Sequence, residues 1–189
     1  FDADAFTDRI KACGVDFVVY PARCNSGTAY YDTNVGMRHP SLTYDMFGRL
    51  VEACQARDIA ISAYINVGLS HEEGLLRRDW TIITPEGYVY QPNRESSFFR
   101  RMCLNSPYGN HVLEMIEEVV SNYPVSGLFL DSFHQMPCVG VECVREMKEH
   151  GLDWRNEKQL EEFALMSKLR LARRIKDSVH DINPELNLF

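Results

Sequence analysis

The sequence predicts an α/β fold of the (β/α)8 TIM-barrel type, present as a partial barrel of about four parallel strands with their helices. Strand-like and helix-like segments alternate along the chain, which indicates a parallel sheet with right-handed crossovers. No glycine-rich phosphate loop follows any predicted strand, so the nucleotide-binding type of parallel sheet is not indicated. The segments after the strands are long and aromatic, which is typical of βα loops that form a substrate site.

The first half of the chain contains two helices and two strands by its hydrophobic periodicity. Residues 4–13 have apolar side chains at helical spacing and predict a helix, and residues 16–21 predict a strand. Residues 43–57 carry one apolar stripe and predict a second helix. Residues 59–67 are rich in β-branched side chains and predict a second strand.

A polar, irregular segment separates these elements from the next strand. It covers residues 68–105, and the Pro-Glu-Gly sequence at 85–87 predicts the turn of a small hairpin. Residues 107–122 have an apolar stripe and predict a helix. Residues 127–131 predict a third strand, because their first four side chains carry no charge and suit burial on both faces of a sheet.

The last part of the chain predicts two helices and the start of a strand. The helices cover residues 142–150 and 156–181, and the second ends before Pro184. Residues 186–189 then predict the beginning of a fourth strand.

The whole chain, 1–189, is predicted to be a single α/β barrel segment. Its 189 residues are fewer than the roughly 250 of a closed eight-stranded barrel. It opens on a predicted helix and stops within a predicted strand, and half a parallel sheet with two open edges is not expected to be a whole folding unit. We therefore expect a piece of a larger barrel, from its first helix to its fifth strand, with any homo-oligomer formed through regions outside this chain.

Composition and charge exclude several classes of protein. The net charge is −7 and no basic cluster exceeds two adjacent arginines, so nucleic acid is not an expected partner. No apolar run reaches the roughly 20 residues of a membrane span, and the acidic, amphipathic start is not a signal peptide. The six cysteines are scattered, which favours reduced thiols and a cytoplasmic location over a disulfide framework.

Asp131 is the first candidate for a functional residue. It follows directly on the apolar residues 127–130, and ligands of parallel sheets bind beyond the carboxyl ends of the strands. An Asp at this place can face a substrate, although strand-end Asp residues also cap turns and helices.

Several short motifs, taken in order, resemble a known family. They are NSGTAYYDTNVGMRHPSL, LVEACQARDIAISAYINVG, RDW and CLNSPYGNHVLEMIEEVVSNYPVSGLFLDSF, followed by a pair of cysteines. Together they resemble the hypothetical glycosyl hydrolase 6 family over about residues 2–150. Those domains are distantly similar to α-L-fucosidase and β-galactosidase barrels.

The resemblance implies retaining hydrolysis of a glycosidic bond, of the fucosidase or galactosidase type, with Asp131 as the nucleophile. A nucleophilic carboxylate needs nearby hydrogen-bond donors, and His134 and Tyr64 are the candidates. A second carboxyl group must act as acid and base. The resemblance does not identify it in this chain, and it could belong to a later strand. The in-chain candidates are Glu72, Glu73, Asp79, Glu86 and Glu95.

A carbohydrate substrate is read by aromatic surfaces and planar polar groups. The substrate-binding candidates are Arg23, Asn25, Tyr31, His39, Tyr64, Asn66, Trp80, Asn105 and His134. For some of them a structural role is an open alternative: Asn66 and Asn105 could bond their own loops, Trp80 could anchor its loop, and His39 could shape the loop before Pro40. The family often has His near position 25, so Asn25 argues against proton transfer there.

No cofactor and no metal are predicted. The distantly similar β-galactosidase barrels bind a structural zinc through clustered cysteines, and Cys138, Cys143 and Cys103 are the thiols that could correspond. The four residues between Cys138 and Cys143 are a wide spacing, so two idle thiols are favoured. Two other functions stay open: a sugar-binding pseudoenzyme without a competent acid, and a hydrolase that uses Asp131 as metal ligand or general base.

Overall fold

The computed structural model describes residues 1–90 and 99–189, which form a six-stranded sheet covered by helices. The strands are β1 (Phe17–Arg23), β2 (Thr28–Ala29), β3 (Met37–Arg38), β4 (Ala60–Asn66), β5 (Gly127–Asp131) and β6 (Asn187–Leu188). The helices are α1 (Ala3–Ala12), α2 (Met46–Gln55), α3 (His71–Leu76), α4 (Tyr108–Asn122), α5 (Val141–Glu149) and α6 (Glu157–Ile182), with a short 3₁₀ turn at Arg78–Trp80.

The sheet is mixed but mostly parallel. Its strand order is β3-β2-β1-β4-β5-β6, and β1, β4, β5 and β6 run parallel to one another. These are the four parallel strands that the sequence predicts. The edge pair β2 and β3 was not predicted, and β2 runs antiparallel to β1. The order is linear, so the described residues form an open sheet and not a closed barrel.

The two faces of the sheet have different surroundings. Ile61, Ala63, Ile65 and Leu128 point into the main core, where α2, α4 and α6 cover them. Alternate residues in β1 and β5 are exposed: Phe17 by 44%, Val19 by 37% and Phe129 by 39%. The prediction that residues 127–130 are buried on both faces is therefore wrong. On the exposed face of β5, the ring of Phe129 packs against Tyr64 of β4.

A smaller core lies beside the main one. It contains the buried residues Ile82, Met147, Leu160 and Phe163 and the thiols of Cys103, Cys138 and Cys143. It joins the segment before α4 to α5 and the first half of α6. Residues 81–90 complete this region as the predicted small hairpin, with Ile83 bridged to Val89 and Gly87 at φ 87°.

The main differences from the sequence-based prediction fall in loops. Helix α3 and the 3₁₀ turn lie within the segment predicted to be irregular, and β1 continues past residue 21 through a register shift at Pro21/Arg23. Within the described residues, no helix combines the length and the apolar character that crossing a bilayer requires.

Candidate active site

The candidate site lies at the carboxyl ends of the three central parallel strands. Asn66 ends β4 and Asp131 ends β5, and the two are register partners. Asn25 follows β1 by two residues, and Tyr64 is on the same face of β4 as Asn66. The parallel pairing thus brings together residues that are about 40 or more positions apart, as the sequence predicts.

Hydrogen bonds join these four side chains into one cluster. The Tyr64 hydroxyl donates to Asp131 Oδ2. Asn66 Nδ2 donates to Asp131 Oδ2 at 2.9 Å and to Asn25 Oδ1 at 3.1 Å. The Tyr64 hydroxyl also lies 3.0 Å from Asn25 Oδ1, but it has one proton, and the carboxylate is the stronger acceptor.

The orientation of Asn66 is set by its own loop. The backbone N–H of Leu69 donates to Asn66 Oδ1 at 2.8 Å, so the amide nitrogen of Asn66 must point toward Asp131. The predicted alternative, a bond to its own loop, is therefore present together with the contact to Asp131. One oxygen of the side chain binds the loop while its nitrogen binds the site.

Close backbone packing holds the two strand ends together. The backbone N–H of Val67 donates to the Asp131 carbonyl at 2.9 Å. A Cβ on Gly68 would lie 2.0 Å from the Ser132 carbonyl oxygen, so only glycine fits there. Ser132 has φ 55°, an unusual conformation for a residue with a side chain, and its hydroxyl lies 3.4 Å from Asp131 Oδ2.

Tyr64 is held as a neutral donor. Burial and the hydrogen bond to Asp131 raise the pKa of Tyr64 to about 12. Its ring stacks on Phe129, with the centroids 5.9 Å apart and the planes at 14°. At neutral pH the phenol therefore keeps its proton for Asp131 and shares an aromatic surface with Phe129.

Arg23 was predicted to bind substrate, and this prediction is wrong because its side chain is buried. It is 1% exposed and pairs with Glu73, Nη2 to Oε2, at 2.7 Å. Its Nη1 donates to the backbone carbonyl of Asn66. Its guanidinium lies 5.8 Å from the ring centroid of Tyr108. Arg23 therefore supports the strand end from behind.

Glu73 is no acid catalyst, because it belongs to the same buried cluster. Its carboxylate also accepts from Ser70 Oγ at 2.7 Å and contacts His111 Nε2 at 2.7 Å. Burial acts to raise its pKa, but the hydrogen bond to His111 and the charge of Arg23 lower the pKa of Glu73 to about 2. A group that gives up its proton so readily cannot protonate a leaving group near neutral pH.

The other acid candidates stay predictions. Asp79 and Glu86 are exposed and Glu72 is half-buried. Glu95 lies outside the described residues. None of the described candidates is hydrogen-bonded to Asp131 or to its three neighbours in the cluster.

Tyr31 was also predicted to bind substrate, and its position in the core makes this wrong. Its side chain is 0% exposed and its ring packs edge-on against Tyr123 at 5.7 Å. His39 shapes its loop, which was the structural alternative: its ring packs against Tyr30 at 5.6 Å, and its Nδ1 accepts from the backbone N–H of Ser41 at 3.2 Å.

The remaining candidates make contacts away from Asp131. Trp80 packs against His111 at 5.1 Å, with the Arg77 guanidinium 5.3 Å from its ring, so it anchors its loop. Asn105 Oδ1 accepts from Arg170 on α6. The ring of His134 contacts Arg101 and makes no hydrogen bond to Asp131, so its predicted donor role is wrong.

Sequence reasoning missed Ser132, the Glu73 cluster and a thiol beside Asn25. Burial acts to raise the pKa of Cys24, but hydrogen bonds from Ser26, Tyr30 and Thr28 lower it to about 7. The pair Asp-Ser at the end of a strand was a usable signal for Ser132. Nothing in the sequence pairs Arg23 with Glu73, because 50 residues separate them.

The site combines a strand-end carboxylate with neutral hydrogen-bond donors and aromatic rings. The hypothetical glycosyl hydrolase 6 family matches residues 2–132, more than half of the chain. The chain therefore belongs to the hypothetical glycosyl hydrolase 6 family. No curated protein sequence matches it.

Solved structures of α-L-fucosidases are similar to the chain. It superposes on α-L-fucosidase isoenzyme 2 from Paenibacillus thiaminolyticus with TM-score 0.92 and 25% identity, covering 100% of this chain and 29% of that one. Unliganded α-L-fucosidase AlfC from Lactobacillus casei gives TM-score 0.60 and 19% identity, covering 100% and 50%. The chain thus spans 29% and 50% of the lengths of these two relatives.

A protein of smaller size shares the fold. A hypothetical protein from Ruminiclostridium thermocellum ATCC 27405 matches with TM-score 0.66 and 10% identity, over 99% of this chain and 88% of that one. At this identity the likeness concerns the fold alone.

Proposed function

We propose that this chain forms the nucleophile-bearing part of a (β/α)8 barrel glycoside hydrolase of the fucosidase or galactosidase type, which cleaves a glycosidic bond with retention. The observation that carries the proposal is the half-buried Asp131 carboxylate at the end of β5, held by Tyr64 and Asn66. Membership of a glycosyl hydrolase family and the likeness to α-L-fucosidase structures support it.

The asymmetry of the hydrogen bonds suggests which oxygen reacts. Those that the described residues Tyr64, Asn66 and Ser132 make to the Asp131 carboxylate all reach Oδ2. We assign Oδ1 as the atom that attacks the anomeric carbon. The C–O bond to the leaving group breaks as the Oδ1–C bond forms, and a general acid protonates the leaving oxygen.

The second half of the reaction uses the same groups in reverse. Water, deprotonated by the conjugate base of that acid, attacks the anomeric carbon and releases the Asp131 carboxylate. Tyr64 and Asn66 hold Oδ2 in both steps, and the charge returns to the carboxylate only at the end. Glu73 is not assigned as the acid/base residue, because its carboxylate is neutralised by Arg23.

A non-catalytic, carbohydrate-binding barrel is the second candidate. It is favoured by one observation: none of the described acid candidates is hydrogen-bonded to Asp131 or to its neighbours in the cluster. The reading of Asp131 as a metal ligand has less support. The group of side chains that could hold a metal within the described residues is made of three thiols, and Asp131 is not among them.

Chemical rescue tests the nucleophile. In the full-length protein, Asp131→Gly should abolish turnover of aryl α-L-fucosides and aryl β-galactosides, and azide should restore it by attacking the anomeric carbon in place of Oδ1. The expected product is a glycosyl azide with the anomeric configuration opposite to that of the substrate. Asp58→Gly is the matched control, because Asp58 is exposed at φ 51° and tolerates glycine.

Each other outcome has a defined meaning. Undiminished turnover by Asp131→Gly without azide would exclude Asp131 as nucleophile. Binding of fucose or galactose by the wild-type protein without any turnover would favour the pseudoenzyme. Loss of a bound metal from Asp131→Asn would make Asp131 a metal ligand.

A further inference from the structure

Three buried thiols meet at a place that the proposed reaction does not use. Cys103 precedes α4, Cys138 lies in the loop after β5, and Cys143 is in the first turn of α5. They are 2%, 2% and 1% exposed, and their Sγ atoms all lie within 4.8 Å of one another. The fold thus brings together one thiol from the segment before α4 and two thiols that follow Asp131 in the sequence.

The spacing of the three sulfur atoms suits a shared metal ion. With Zn–S bonds of about 2.3 Å, the sulfurs of a tetrahedral zinc site are about 3.8 Å apart. The Cys103 and Cys143 sulfurs are 3.4 Å apart, and no two of the three sulfurs are more than 4.8 Å apart. The sulfur–sulfur distance of a tetrahedral zinc site falls within this range. A disulfide would need about 2.05 Å, and all three cysteines are free.

The sulfur atoms are surrounded by hydrogen-bond donors. The backbone N–H groups of Ile83 and Gly140 each donate to Cys138 Sγ at 3.4 Å. Gln135 Nε2 lies 3.7 Å from Cys103 Sγ, as a third donor. Neutral thiols are weak acceptors and gain little from such donors, whereas metal-bound thiolates carry negative charge that N–H groups stabilise.

Solvent can reach the cluster. A cavity of about 440 Å³ adjoins it, lined by the three cysteines and by polar residues that include Asp79 and Glu142. An ion could enter by this route, and a water molecule in the cavity could complete four-fold coordination.

We propose that Cys103, Cys138 and Cys143 bind one zinc ion as a structural site, with a solvent molecule as fourth ligand. This replaces the sequence-based expectation of idle thiols. The ion would fix the segment before α4 to the loop of residues 132–140, which begins next to Asp131. Its role is to hold that loop in place, and it takes no part in bond cleavage.

Metal analysis of the wild-type protein, purified without chelators, tests the proposal directly. We expect one zinc per chain by mass spectrometry of the metal. Replacing zinc with cobalt(II) should produce thiolate-to-cobalt charge-transfer absorption of the strength of three thiolates. Neither measurement depends on enzymatic activity, so failure here leaves the assignment of Asp131 untouched.

Variants locate the ion. Cys103→Ser, Cys138→Ser and Cys143→Ser should each lose the zinc, whereas Cys54→Ala, a buried cysteine of the main core, should keep it. A chelator should lower the Tm of the wild type and of Cys54→Ala. If a serine variant does not fold, the cobalt spectrum of the wild type still counts the thiolates. A folded wild-type protein without zinc or a cobalt–thiolate band, or with a Cys103–Cys143 disulfide, would overturn the proposal.

Discussion

Two polar clusters occupy opposite sides of the end of β4. Charges are paired in one of them and unpaired in the other. Behind the strand, Arg23 and Glu73 are sealed in the protein, and each charge meets an opposite one. In front of it, Asp131 is half-buried and surrounded by the neutral donors Tyr64 and Asn66. Asn66 joins the clusters, since its backbone carbonyl accepts from Arg23 and its amide donates to Asp131.

The difference indicates which carboxylate is available for chemistry. A buried carboxylate that faces a guanidinium is already neutralised, and its contribution is to stability. A carboxylate held by neutral donors keeps its negative charge for a ligand, while the donors fix its position. The comparison predicts that substitutions behind the strand change stability and that substitutions in front of it change activity.

The largest expected effect follows from Glu73→Gln, which leaves Arg23 buried without its charge partner. We expect a loss of about 3–5 kcal/mol in the free energy of unfolding. Chemical denaturation measures it. Glu72→Gln, one residue away and half-buried, is the control and should change the stability by less than about 0.5 kcal/mol. Equal effects of the two substitutions would contradict the sealed-cluster interpretation.

The next largest effect is a pH dependence of the free energy of unfolding. The pKa of Glu73 is lowered to about 2 from an ordinary value of 4.5, so its contribution is present above pH 4.5 and is lost as the pH falls toward 2. The shift corresponds to roughly 3 kcal/mol. Denaturation curves of wild type and Glu73→Gln between pH 7 and pH 3 should converge as the pH falls. A constant difference between them would show that Glu73 does not titrate in this way.

A smaller effect, on activity, is expected in the open cluster. Tyr64→Phe removes the hydroxyl that donates to Asp131, and hydrogen bonds to charged groups contribute about 1.5–3 kcal/mol. We expect kcat/KM for an aryl glycoside to fall by roughly 10–100-fold. Tyr44→Phe, which loses only a bond to the Phe1 carbonyl, is the control. An unchanged kcat/KM would remove Tyr64 from the site.

The smallest effect is expected for Tyr31→Phe. Its hydroxyl donates to the Met115 carbonyl at a long 3.4 Å and also interacts with the side chains of Glu118 and Thr33, and its ring stays in the core. We expect a stability loss of about 1 kcal/mol or less and no change in KM, measured by denaturation and by steady-state kinetics. A raised KM in a fully stable variant would return Tyr31 to the substrate site.

Much of the open cluster could be predicted, because it follows from local rules. Asn66 and Asp131 each end an apolar strand, and the ends of parallel strands meet at one edge of the sheet. The prediction failed for Arg23 and Tyr31 because their side chains turn away from that edge. In β1 the change in the direction of Arg23 accompanies a register shift at Pro21/Arg23, and no sequence pattern in this chain predicts that shift.

The sequence by itself determined the alternation of strands and helices, the four parallel strands and the strand-end position of Asp131. Periodicity and residue type act over a few neighbouring positions, so they can be read from a single chain. The tertiary structure alone decided that Glu73 neutralises Arg23, that Asn66 points its amide at Asp131 and that three distant thiols meet. Each of these depends on contacts between segments about 30 to 65 residues apart, and only the packed fold defines such contacts.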